Sequence, residues 1–88
     1  MKNIQLYVGN LSRFTTEEDL NRLFSRAGEV VESNLIMDHK SGESRRYAFI
    51  TMGAQSEADI AENMFNGFSL IDHELNVHLV HPRAQRGI

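Results

Sequence analysis

The chain has 88 residues, 41% hydrophobic and 24% charged, with one proline and no cysteine. That is room for one domain, and the composition excludes a disordered or collagenous chain, disulfide staples, zinc–cysteine sites and thiol nucleophiles. A formal net charge of −3 argues against a uniformly basic nucleic-acid binder, no apolar run approaches the roughly 18 residues of a membrane span, and the start Met1-Lys2-Asn3-Ile4 shows no signal-peptide pattern. A reducing, cytoplasmic setting is expected.

Ile4, Leu6 and Val8 alternate with Gln5, Tyr7 and Gly9, a period of two that predicts a half-buried strand. Thr15 and Glu18 have the spacing of a capping box. Leu20, Leu23, Phe24 and Ala27 follow at helical spacing, with Gly28 at the stop, so an amphipathic helix of about three turns is predicted. Val30 to Met37 reads as a second strand, His39 to Ser44 as a polar loop, and Tyr47 to Met52 as a third strand. A second helix begins at Ser56, buries Ala58, Ala61 and Phe65, and ends at Asn66-Gly67. Leu75, Val77 and Leu79 mark a last strand before Pro82.

The order β-α-β-β-α-β predicts an α+β, ferredoxin-like fold: a four-stranded antiparallel sheet with two helices packed on one face. The other face is left open, and alternation decides what stands on it. With Leu6, Val8, Ala48, Ile50 and Met52 turned to the core, Gln5, Tyr7, Gly9, Tyr47, Phe49 and Thr51 turn outward. Aromatics at alternate strand positions are most often core. Here the opposite parity is already filled by apolar residues, so three rings are expected on an uncovered face, which marks a binding surface. Asn34 and Ile36 on the second strand, and Asn76 and His78 on the last, share that face.

Two segments resemble the signature of the RNA recognition motif family. Leu6-Tyr7-Val8-Gly9-Asn10-Leu11 is similar to its first-strand hexamer. Arg45-Arg46-Tyr47-Ala48-Phe49-Ile50-Thr51-Met52 is similar to its third-strand octamer, K/R-G-F/Y-G/A-F-V-x-F/Y. The resemblance runs from Ile4 to Arg83. It implies that Tyr7, Tyr47 and Phe49 stack bases and that Arg45 holds phosphate. Gln5, Arg46, Asn34, Asn76, His78, Arg83 and Arg86 are expected to assist. The expected partner is single-stranded RNA, with single-stranded DNA and a protein partner left open, and no cofactor, metal or membrane is implied. The chain divides into a domain over 1–83 and a short basic tail over 84–88, and is expected to be a monomer. Two departures stand out: Arg46 replaces the octamer's glycine and Met52 its last aromatic. Ser33 falls where strand two should be apolar, which suggests a locally polar core.

Charge segregation reconciles the acidic total with this reading. Glu17, Glu18, Asp19, Glu57, Asp59 and Glu62 lie on the helices, while Lys2, Lys40, Arg45, Arg46, Arg83 and Arg86 lie at strand ends, loop and tail, a set diluted by Asp38 and Glu43. With a Debye length near 8 Å the local cluster outweighs the net charge. His39, His73, His78 and His81 lack accompanying ligands, and His78 and His81 fall on opposite strand faces, so no metal site is expected. No nucleophile–base spacing or phosphate-cradling loop is present, and the Gly9–Phe14 segment lacks the glycine-rich cradle of acylphosphatase, which shares the fold plan, so no enzyme is expected. The competing reading is a protein-interaction module on the same fold, using the aromatic face or Ile60 and Met64, although those two read first as core flank.

Overall fold

The structure is a computed structural model and describes residues 4–37, 40, 42 and 44–80, without the side chains of Ser44 and Arg45. His39, His81, Pro82, Arg83 and Arg86 lie outside the described residues.

The elements run β1 (Ile4–Gly9), α1 (Glu17–Phe24), β2 (Val30–Met37), β3 (Ser44–Met52), α2 (Gln55–Phe65), β4 (Ser69–Leu70), β5 (His73–Glu74) and β6 (Asn76–Leu79). The main sheet has the order β2-β3-β1-β6, with every pair antiparallel. The expected layered plan is therefore present. Leu6, Val8, Ala48, Ile50 and Met52 are fully buried beneath the helices with Leu20, Phe24, Ala58 and Ala61. The Phe24 and Phe65 rings join α1 to α2 at 4.9 Å. Met52 is core, as its parity requires, so its departure from the aromatic pattern concerns packing. Ser33 is half-buried opposite Ile50, and its Oγ has no hydrogen-bond partner. The polar core position is real.

Several boundaries differ from the sequence-based expectation. The N-cap of α1 is Thr16 and not Thr15: Thr16 Oγ1 accepts from the Asp19 N–H (3.1 Å), and Asp19 Oδ2 accepts from the Thr16 N–H (3.0 Å). Two successive threonines followed by three acids give two overlapping boxes, and burial decides, because Thr15 is taken into the core margin. The helix then has eight residues, with Ser25 as C-cap ahead of Gly28. Helix α2 starts one residue earlier than expected, from Ala54, with no side-chain cap. It stops where expected, because Gly67 takes a φ of +90° that a side chain disfavours. β3 begins at Ser44, three residues before its apolar pattern does. The hairpin β4–β5 is new, and its turn residues Ile71 and Asp72 both have positive φ, 50° and 63°.

The helices also close the edges of the sheet. The outward N–H groups of Val77 and Leu79 on β6 donate to Asn66 Oδ1 (3.0 Å) and Glu62 Oε2 (3.2 Å) of α2 and its cap. On β2 the Leu35 N–H donates to Glu17 Oε2 at 2.8 Å. An unpaired strand edge is a template for another chain, and these acceptors occupy it.

Candidate nucleic-acid interface

The register assembles the open face into cross-strand rows. Asn34, Phe49, Tyr7 and His78 stand directly opposite one another on β2, β3, β1 and β6. One step along, Tyr47, Gly9 and Asn76 form a second row on β3, β1 and β6. A third row carries Glu32, Thr51 and Gln5. Two residues along a strand span about 6.8 Å, so successive rows have a spacing over which neighbouring rings can meet.

Tyr7, Tyr47 and Phe49 meet as a triangle. The Tyr7 ring lies 5.9 Å from Tyr47 and 6.0 Å from Phe49, and Tyr47 and Phe49 are 6.0 Å apart, edge to face. One tilted and two edge contacts hold the rings in place, and each ring is half-buried. Gly9 makes room for this. A Cβ at Gly9 would sit 2.5 Å from Tyr7 Oη and 2.8 Å from two of its ring carbons. The Tyr7 ring therefore lies along its own strand, over the bare backbone of Gly9, toward Tyr47.

Gln5, Asn34, Asn76 and His78 are exposed around the rings, each offering hydrogen-bonding groups at the level of the platform. Thr51 shares the parity but is only 8% exposed, so on that side the rings end at the Phe49–Tyr7 row. Arg46 is exposed at the end of the sheet next to Tyr47, in a left-handed conformation with a φ of 71°. The octamer's glycine would take that conformation freely, and arginine holds it at a cost of about 1 kcal/mol or more. The Arg46 carbonyl accepts from the Leu11 N–H at 3.0 Å, tying the loop after β1 to this irregular start of β3. The backbone of Arg45 is in the same segment.

Arg46 and Lys40 stand toward the Tyr47 end, where Glu74 is also exposed beside Asn10, and Glu32 stands at the other end. Ile60 and Met64 do not flank the core as expected: they are 46% and 47% exposed on α2, away from the platform. Sequence reading also missed Phe14, the most exposed large apolar residue described, at 69%. It lies in a loop, where no periodicity marks its direction. Among the described residues no group of three or more His, Asp or Glu side chains is placed to hold a metal ion.

Three aromatic rings on the uncovered face of a four-stranded sheet are the arrangement on which one class of RNA-binding domain stacks bases. The RNA recognition motif model matches residues 6–76, and the chain belongs to that family. It is 36% identical over 84 residues to a Nostoc protein designated RNA-binding protein RbpB, covering 96% of this chain and 82% of that one. It is 37% identical over 83 residues to the 29 kDa chloroplastic ribonucleoprotein of Arabidopsis thaliana, covering 94% of this chain but 24% of the longer protein. Among solved structures, the RNA binding protein PG1 superposes with a TM-score of 0.86 at 30% identity, over 91% of this chain and 96% of that one. The Rna15 RRM with bound RNA (GU) superposes with a TM-score of 0.80 at 27% identity, over 89% and 83%.

Proposed function

We propose that this domain binds short single-stranded RNA across the open face of its sheet, as a binding module and not an enzyme. The observation that carries the reading is the ring triangle of Tyr7, Tyr47 and Phe49, half-buried on the one sheet face that no helix covers. Unpaired bases present their π-faces to such rings, whereas the bases of a duplex are stacked on one another and withheld. Asn34, His78, Asn76 and Gln5 then read base edges from the flanks, and Arg45 and Arg46 hold phosphate where the strand passes Tyr47. Arg83 and Arg86 extend that positive margin. Stacking is indifferent to the sugar, so single-stranded DNA is expected to use the same rings. The occupied edges of β2 and β6 favour a monomer. A chain without cysteine suits a reducing compartment, for which we propose the cytoplasm, although similar proteins include chloroplastic ones.

Fluorescence-anisotropy titration of random single-stranded RNA tests the reading. Tyr47→Ala and Phe49→Ala should each weaken binding by about 1–3 kcal/mol, that is, roughly 5- to 150-fold. Unchanged affinity in both variants, with thermal melts matching the wild type, would remove stacking from the account.

A further inference from the structure

Helix α2 ends in Asn66-Gly67, and Asn66 is the one asparagine of the chain that precedes a glycine. In an unfolded chain that pair is chemically labile. The backbone nitrogen of the second residue attacks the asparagine Cγ, and a glycine has no side chain to obstruct it. The N–Cγ bond forms, the Cγ–Nδ2 bond breaks, and ammonia leaves with the proton of the attacking amide. Water then opens the five-membered succinimide at either carbonyl, giving aspartate or isoaspartate.

The folded junction opposes each requirement of that reaction. The nucleophile is engaged, because the Gly67 N–H donates to the Leu75 carbonyl at 2.7 Å. The carboxamide is engaged too, because Asn66 Oδ1 accepts from the Val77 N–H at 3.0 Å. Ring closure needs the Gly67 nitrogen and the Asn66 Cβ eclipsed about the Cα–C bond, whereas Asn66 has a ψ of 117° that holds them apart. Bonds from the Asn66 N–H to the Glu62 carbonyl (3.1 Å) and from the Phe68 N–H to the Phe65 carbonyl (3.0 Å) fix the same turn. Asn66 is itself exposed, so water has access to it, and bonding rather than burial is what protects it.

We infer that Asn66 is a latent modification site, kept closed by the junction of α2 with β6 and converted to aspartate and isoaspartate only when that junction opens. The two products differ in effect. Aspartate at this position keeps a side-chain oxygen for the Val77 N–H. Isoaspartate routes the main chain through the side chain, lengthens it by one methylene and withdraws that acceptor, which leaves the end of α2 and the outer edge of β6 without their bonds. Strand β6 carries Asn76 and His78 at the level of Gly9 and Tyr7. The junction thus couples a reversible local opening to a one-way covalent change at the margin of the sheet.

Peptide mapping that separates aspartyl from isoaspartyl products tests this, after incubation in mildly alkaline buffer of the folded protein and of the same chain unfolded in urea. Asn66 should convert more than about tenfold more slowly in the folded protein, since only the open fraction reacts. Glu62→Ala removes the acceptor of the Leu79 N–H on the same edge. It should raise the folded rate several-fold and leave the unfolded rate unchanged, while Glu62→Gln, which keeps an acceptor oxygen, should stay close to wild type. Equal rates in the folded and unfolded chains would overturn the inference, because the closed junction would then present no barrier. A folded rate that Glu62→Ala leaves unchanged would overturn it as well, by removing the β6 edge from control of the reaction.

Discussion

At Gly9 a missing side chain sets the geometry of the interface. The Tyr7 ring occupies the space a Cβ would need, so Gly9→Ala must push the ring off the strand and open the triangle. RNA affinity should fall about tenfold while thermal stability changes little, because the ring can swing into solvent. A loss of stability without loss of affinity would mean that the ring position is a packing matter only. The sequence marks Tyr7 as outward through simple alternation, but not the direction in which its ring lies, since that depends on the neighbouring residue's lack of volume. Arg46 shows a similar limit. Its departure from the octamer is legible in the sequence, whereas the strained φ of 71° and the bond from Leu11 appear only in the folded chain.

The elements follow from patterns that are mostly local. Alternation in β1 and β3 and helical spacing in α1 and α2 identify four of the six main elements directly, and the register of β1 against β3 then fixes the ring rows. What was not legible depends on long-range bonding. The β4–β5 hairpin lacks an Asn-Gly or Asp-Gly turn, and Ile71-Asp72 adopts the left-handed conformations that those residues favour. A β-branched residue there is strained, and Ile71 is 44% exposed, so little burial offsets it. Ile71→Asn should therefore raise unfolding free energy by about 0.5–1 kcal/mol in urea titration. A decrease would show that Ile71 contributes more by packing than its turn conformation costs. At the other edge, Asn66→Ala leaves the Val77 N–H without its acceptor and should destabilise by about 1–2 kcal/mol, with Asn66→Asp keeping most of the stability.

The net negative charge of the whole molecule acquires a structural meaning. Asp19, Glu57, Glu17 and Glu62 accept from the backbone N–H groups of Thr16, Glu29, Leu35 and Leu79. Composition shows these acids and periodicity places them on helices, but neither shows that they close backbone donors at the helix start, in the turn before β2 and on both sheet edges. They stand on the helices and along the sheet edges, while Arg46 and Lys40 stand at the Tyr47 end of the open face. With the four arginines assigned to the positive margin, Arg45, Arg46, Arg83 and Arg86, each meeting at most one phosphate, log affinity against log salt should have a slope of about −1 to −3. A slope near zero would remove phosphate contacts from the account, and a much steeper one would require basic groups beyond those assigned. The central claim, that RNA lies on the open sheet face, is tested most directly by titrating single-stranded RNA into ¹⁵N-labelled protein and following amide and ring resonances by NMR. The account predicts the largest shifts at Tyr7, Tyr47, Phe49 and their row neighbours Asn34 and His78, with α1 and α2 little changed. Shifts confined to the helical face around Ile60 and Met64, with the three rings undisturbed, would contradict it.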